Sequence, residues 1–449
     1  MAEPARRQRR SCSWACCGWL LAAALLLPLL VWGAASAITA RMYQRELDRL
    51  CRAGEPLTVS ELSPKVPAGH DNAANVYAAL ESLDRMEPFT AGAPGWTRGK
   101  WDAEWRQRAR DAVTSNQRYF STVGQASRMR ECAFPVEWEA GPLALKPHLA
   151  QLRNAARRLQ VRAEVQLLDG KPDEAAASCA TLLRVADHAE TGPAMFDVLV
   201  AHAIRAIALR ELERVLSSGS LSPSACRTLY EQLSQVDTTE PFLRGAQGER
   251  AWWIMTFPMI EEGRVSGGLA PLFGDESARR VDLYQMFGRP NWNLDKLRYL
   301  RACERAFTAL DSPWPTARKQ LDDLEAQIGR LTLSRVSGSA LTAPVTPENL
   351  RSRYRNAARL SASRLALELE LYRHDRGRYP DSLEELGKAG WKLPLDPFTE
   401  KPFRYRREPT GFAVWSLGPD MTDNNARDFN PSKEEWDTPG YDFVFRVAR

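Results

Sequence analysis

The chain has 449 residues, with 61 basic against 56 acidic side chains and a formal net charge of +5. Four arginines and one glutamate fall in the first fourteen residues, so the remainder carries only +2. A near-neutral body without a basic run excludes a nucleic-acid binder that works by neutralising phosphates. An apolar fraction of 44% excludes a disordered chain.

No charged side chain occurs between Arg10 and Arg41. A helix of about 20 apolar residues spans a bilayer core, so residues 15–40 are expected to form a transmembrane anchor or a signal sequence. Arg6, Arg7, Arg9 and Arg10 precede the run. Basic flanks stay on the cytoplasmic side, which makes 1–14 a cytoplasmic segment and exports the body of the chain. Ala35-Ser36-Ala37 is an acceptable cleavage site. Against cleavage, the run exceeds a usual signal h-region, and a helical pattern (Met42, Tyr43, Leu47, Leu50) continues past it. An uncleaved anchor is the expectation.

Cys51, Cys132, Cys179, Cys226 and Cys303 come after the apolar run at wide spacing. Without a CxxC or a Cys/His cluster they suggest neither zinc nor a disulfide framework, but small buried hydrophobes. The histidines at 70, 148, 188, 202 and 374 are scattered. No HExxH, GxSxG or SxxK occurs.

Arg41 to Ala53 reads as a helix leaving the membrane, stopped by Gly54-Glu55-Pro56. Asp71 to Leu83 and Trp101 to Val113 carry apolar residues at helical spacing. Leu149–Leu168 and Glu174–His188 flank the Gly170-Lys171-Pro172-Asp173 turn and predict a helical hairpin. Its residue order resembles one tetratricopeptide unit, but no second copy occurs in register, so an ordinary antiparallel pair is expected. Ala194 to Leu216 is the most apolar helix of the body. His202 and Arg205 interrupt it, which suits a buried core helix. Further helices are expected from Ser222-Pro223, over Glu240–Glu262, Asn291–Leu310 and Pro315–Leu333. Trp252, Trp253, Phe257 and Met259 could be core or a sticky surface, and core is expected. Gly263 to Gly274 is glycine-rich without the spacing of a phosphate loop. Residues 334–347, rich in Ser, Gly, Thr and Pro, read as a linker between an all-helical domain (41–333) and a C-terminal module (348–449).

In that module Glu348–Arg373 is a long amphipathic helix. Asp381 to Glu384 fits a capping box opening a short helix. Phe403 to Tyr405, Phe412 to Ser416 and Tyr441 to Val447 then alternate as strands. The fold class expected is mainly α: an N-terminal transmembrane helix, a multi-helix domain built on a helical hairpin, and a C-terminal α+β module.

Leu371-Tyr372-Arg373-His374-Asp375-Arg376-Gly377-Arg378-Tyr379-Pro380 resembles the "LY…D.GRYP" segment of type II secretion major pseudopilins. Leu395-Asp396-Pro397-Phe398 resembles their "DPWG" turn, and Val414-Trp415-Ser416-Leu417-Gly418-Pro419-Asp420 their "LWSLGADG". The resemblance covers about the last hundred residues. It implies a long helix packed on a small antiparallel sheet, with a calcium-binding loop after the strand. It departs from the family in lacking the leader fused directly to that helix, since some three hundred residues intervene. The whole chain, through Gly54-Glu55-Pro56-Leu57-Thr58 and the Asn72–Tyr77 segment, resembles membrane-tethered bacterial proteins of unknown function.

Calcium takes six to eight oxygen ligands. The ligand set that the resemblance implies is Leu417, Asp420, Asp423, Asn425 and Asp428. Met421 stands where a glycine usually follows the first aspartate, and Asp and Asn also favour plain solvated turns. The expected function is a non-enzymatic, single-pass protein of a bacterial inner membrane. Its N-terminus would be cytoplasmic and its bulk periplasmic, with a helical platform for envelope or secretion-system proteins and no nucleic-acid partner. The alternatives are an accessory component of a type II secretion or type IV pilus-like system, and an envelope hydrolase. A deep pocket lined by two or more carboxylates would favour the hydrolase.

Overall fold

The computed structural model describes residues 14–67, 71–85, 102–219, 221–262, 289–332, 347–428 and 440–449. The glycine-rich segment from Gly263, most of the linker over 334–347 and the basic N-terminal segment lie outside the described residues. The chain divides into two compact units. One comprises Met1–Glu55, Phe257–Ala302 and Arg330–Leu341; the other comprises Pro56–Thr256, Cys303–Gly329 and Thr342–Arg449.

In the first unit, helix α1 runs unbroken over Trp14–Arg52 with Pro28 inside it. Its apolar stretch is uncovered: Leu27, Leu29 and Leu30 are each more than 60% exposed. Its later turns are packed. Leu50 is fully buried, and the Tyr43 ring meets Phe257 edge-on at 6.3 Å. Asn293 Nδ2 lies 3.3 Å from both Ser36 O and Thr39 Oγ1. Lys296 sits over the Tyr43 ring and pairs with Glu261, which also accepts the Trp292 indole N–H at 2.8 Å.

The second unit starts with short helices α2 (Val59–Leu62), α3 (Ala73–Tyr77) and α4 (Leu80–Leu83). The single helix expected over Asp71–Leu83 is thus two pieces. Buried Asn72 caps α3, taking the Ala74 N–H, and also exchanges hydrogen bonds with Ala133 N and O. Helix α5 (Ala103–Ser115) is capped by Asp102, whose carboxylate takes the Trp105 N–H at 2.8 Å. Helix α6 (Gln117–Arg128) begins after the single joint residue Asn116.

The hairpin is α7 (Pro147–Leu168) and α8 (Pro172–Ala189), turned at Gly170 with a positive φ of 69°. Pro172 opens α8, and Asp173 and Glu174 in its first turn complement the helix dipole. Helix α9 (Met195–Ser217) packs on both, and α10 (Pro223–Ser234) is capped by Ser222, which takes the Ala225 N–H. Helices α11 (Glu240–Glu261), α12 (Arg289–Leu310) and α13 (Trp314–Thr332) run through both units.

The C-terminal segment supplies α14 (Pro347–Arg376), α15 (Leu383–Lys388) and strands β1 (Arg404–Glu408), β2 (Gly411–Ser416) and β3 (Phe443–Ala448). They form an antiparallel sheet in the order β1-β2-β3. Side chains alternate with period two. Phe412, Val414, Phe445 and Val447 enter the same hydrophobic cluster as α7–α10 and α14. Ala413 and Trp415 on the other face form a small cluster with Ala426. The segment from 348 onward therefore shares one hydrophobic cluster with the helices before it. The capping box at Asp381–Glu384 is replaced by Glu385, which accepts the Asp381 N–H at 2.8 Å.

Cys51, Cys132, Cys179, Cys226 and Cys303 are free thiols, and all but Cys51 are buried. Burial pushes the Cys132 and Cys226 thiols up to about 12.

Candidate functional site

Three places gather polar side chains. The first is the aspartate-rich loop after β2. Gly418, Met421, Asn425 and Ala426 all have positive φ, so the backbone coils tightly there. Asp420 accepts the Thr422 and Gly440 N–H groups at 3.0 Å each. Asp423 accepts the Trp415 indole N–H at 3.1 Å and the Asn425 N–H at 3.0 Å, and pairs with Arg404 at 3.3 Å. Asn425 Oδ1 takes Arg406 at 2.8 Å. Leu417 donates its N–H to Asp396 at 3.1 Å, and Asp396 also takes the Ser416 hydroxyl at 2.7 Å. Asp428 is exposed and pairs backbone with Asp442.

Asp442, absent from the sequence expectation, is the buried member of this loop. It accepts the Asn424 and Ala426 N–H groups at 3.3 and 2.9 Å. Burial pushes its carboxyl up to about 6 against those two hydrogen bonds, and Asp423 and Asp420 add to the rise. Among the described residues, no three Asp, Glu, His or Cys side chains converge on a metal-sized point. The donor chemistry explains this: the aspartate oxygens already face backbone N–H groups, and Arg404 and Arg406 supply positive charge. As arranged, the loop does not present a ready calcium shell.

The second place is a set of buried charges in the helices. Arg205 on α9 is fully buried and binds Glu190 Oε2 at 2.7 Å and Asp187 Oδ1 at 2.8 Å. Burial alone would lower its guanidinium; Glu190 and then Asp187 overcome that and raise it. Lys146 lies over the Trp138 and Trp252 rings at 4.9 and 5.3 Å and 3.8 Å from Asp197. Glu249 accepts the Met195 N–H at 3.2 Å, and burial pushes its carboxyl up to about 7 despite Lys146. Of the aromatic residues expected in the core, Trp253 and Phe257 are buried, while Trp252 is half-buried beneath Lys146. Glu370 on α14 is fully buried under Arg373, Tyr379 and Arg449. Burial raises its carboxyl, but those three donors outweigh it and hold it below the usual range.

The third place is a cleft of about 550 Å³ between α9, α14 and β3. Leu199, Ala206, Leu209, Ala362 and Phe445 form its apolar wall. Arg210, Arg355 and Arg359 line it together with Glu213, Glu348 and Asp428. Glu213 accepts the Arg446 N–H at 3.0 Å, and Glu348 pairs with Arg355. Buried His202 lies 3.3 Å from the Ser352 hydroxyl. Burial pushes its imidazole down to about 3, with Arg205, Arg355 and Arg353 adding to the fall. Of the two polar residues that interrupt the apolar helix in sequence, His202 lines this cleft and Arg205 does not; the partners on α14 lie some 150 residues away.

No protein-family model, curated protein or solved structure matches the chain.

Proposed function

We propose that the chain is a membrane-anchored envelope protein whose exported body works by binding and not by catalysis. The observation that carries the membrane anchoring is α1. It is the one helix among the described residues long and apolar enough to cross a bilayer, and only 6% of its apolar window is buried by the protein itself. An uncovered apolar face of this extent needs lipid or a partner. The packing of Ser36, Thr39 and Leu50 supports retention of the segment, because cleavage after Ala37 would separate residues whose environments are shared.

The pseudopilin-like order of segments supports a structural head at the C-terminal end. Asp396 ties the "DPF" turn to Ser416 and Leu417, and Tyr379 of "GRYP" reaches Glu370 at 2.8 Å. In this reading the head contacts other envelope or secretion-system proteins from a bacterial inner membrane, with the N-terminus inside and the body in the periplasm. The second reading, an envelope hydrolase, draws on Glu213, Glu348 and Asp428 in the cleft. The engagement of Glu213 with the Arg446 N–H and of Glu348 with Arg355 favours binding, since a general acid needs a carboxyl kept protonated by burial.

Membrane extraction tests the reading. The full chain is expected to stay in the membrane pellet after alkaline carbonate washing, and a chain lacking 14–34 to be released. Release of the full chain contradicts it.

A calcium ion at the aspartate-rich loop would have to displace Arg404 and Arg406 from Asp423 and Asn425. The readout is Asp442. Its folded carboxyl titrates near 6 and its unfolded one near 4. Its stabilising contribution is therefore present below about pH 4 and lost as pH rises through about 6. Calcium would favour the ionised form, so stability should instead rise with pH across that window, and Asp442→Asn should flatten both profiles. Identical melting profiles from pH 4 to 7 with calcium and with chelator would rule calcium out.

A further inference from the structure

Where α11 meets the start of α9, two carboxylates are buried against one cation. Asp197 is fully buried and Glu249 is 7% exposed. Lys146, just ahead of α7, stops 3.8 Å from Asp197 Oδ1 with its own side chain 9% exposed. That oxygen has no hydrogen-bond partner among the described residues. The Lys146 nitrogen lies 4.9 and 5.3 Å from the centres of the Trp138 and Trp252 rings.

The two carboxylates hold the corner together. Asp197 Oδ2 takes the Ala194 N–H at 3.0 Å, and Glu249 on α11 takes the Met195 N–H at 3.2 Å. Glycines make room for this: a Cβ on Gly192 would run into Asp197 Oδ2, and one on Gly248 into Pro193 O. At so tight a corner, hydrating a carboxylate means moving α11 off α9.

Two further groups face the pair or its lysine. Arg244 on α11 is engaged by Glu240 at 2.9 Å and donates to Glu190 O at 2.7 Å. His148 on α7 is pushed down to about 4 by burial and then by Lys146, so it is uncharged at neutral pH. With Arg244 counted against Glu240, the corner carries one negative charge too many for a buried site. Taking up one proton removes it. Burial pushes the Glu249 carboxyl up to about 7 against the pull of Lys146 and the Met195 N–H, and Asp197 adds to the rise. Burial raises Asp197 as well, so the proton belongs to the pair.

We infer that this corner is a proton-operated latch: one proton on the Asp197–Glu249 pair holds α11 on the start of α9, and its loss lets that contact open. This inference does not depend on the membrane-anchor reading.

The test is hydrogen exchange on the full chain in lipid nanodiscs, read at the Met195 amide and corrected for the intrinsic rate at each pH. Released, Glu249 titrates near the ordinary value of about 4; seated, it titrates at about 7. The linked stability is thus full below about pH 4 and lost as pH rises through about 7. Protection of the Met195 N–H is expected to fall about tenfold or more from about pH 5.5 to about pH 8. Glu249→Gln keeps an acceptor and carries no charge, and should abolish most of that fall. Asp197→Asn should reduce it to about threefold or less, because Glu249 can then ionise beside Lys146 without a second carboxylate. The infrared difference between the natural chain and Glu249→Gln should show a protonated carboxyl at the lower pH that is gone at the higher. Unchanged protection across this range overturns the proposal. So does a fall of the same size in either variant, or the absence of the protonated carboxyl.

Discussion

Arg205→Met is expected to destabilise the chain by about 3–5 kcal/mol, the cost of leaving a buried charge without its partner. Methionine fills much of the volume of the arginine stem, so lost packing is a minor part of the change. What is lost is the cation. Glu190 is 6% exposed, and Arg205 supplies hydrogen bonds to both of its oxygens. Burial already pushes the Glu190 carboxyl up, against the pull of Arg205. Without that pull it rises further, and the folded variant takes up a proton that the unfolded chain releases at neutral pH. The deficit should therefore be largest above about pH 7 and shrink as pH falls toward 4. Urea unfolding of the two chains at pH 7.5 and pH 4.5 measures both parts. Equal deficits at the two pH values would mean that packing, not charge, accounts for the loss.

The second large effect reverses a propensity rule. Gly248 lies inside α11, where alanine would ordinarily stabilise a helix by about 1 kcal/mol. Here a Cβ would fall 1.7 Å from Pro193 O, at the corner between α8 and α9. One turn earlier, a Cβ on Gly245 would fall 2.9 Å from Val198 Cγ2 and 3.3 Å from Met195 Cα. The two glycines let α11 approach the start of α9 closely enough for Glu249 to take the Met195 N–H. A carbonyl of the main chain cannot swing aside as a side chain can. Gly248→Ala is expected to lose about 3 kcal/mol, at the upper end of overpacking costs. Gly124→Ala in α6 is the control. Its Cβ meets only the mobile end of Arg128 at 3.5 Å, so it should gain up to about 1 kcal/mol. If both alanines stabilise, the close approach of α11 is wrong.

Much of the helical layout was legible in the sequence because it rests on local signals. The α7–α8 hairpin is set by apolar periodicity around Gly170 and Pro172, and α10 by Ser222-Pro223. The period-two stretches marked β2 and β3 because one face of the sheet is core. Helix α6 was missed for a physical reason. Asn116 ends α5 and begins α6 alone, with no glycine or proline to mark the joint, although Tyr119, Phe120, Val123 and Ala126 are spaced as a buried face.

Long-range pairing was not legible. Nothing local ties Asn356 and Ser363 to α9, or says that Arg404 and Arg406 would occupy the oxygens of Asp423 and Asn425. The aspartates and asparagines of the loop were visible as a cluster; the donors that satisfy them come from β1 and β2 and appear only once the strands are paired. For the same reason the packing of α14 against α7–α10 was not legible: an apolar helix face does not name its partners.

The proposal that α1 fixes the chain in a membrane places everything after Arg41 outside the cytosol. A bacterial phosphatase that is active only where disulfides form, fused after Arg449 of the full chain, tests this most directly. The expected result is an active phosphatase, and a silent one when 14–34 are deleted. A silent phosphatase on the full chain, together with a cytosol-restricted reporter that is active at the same position, would contradict it.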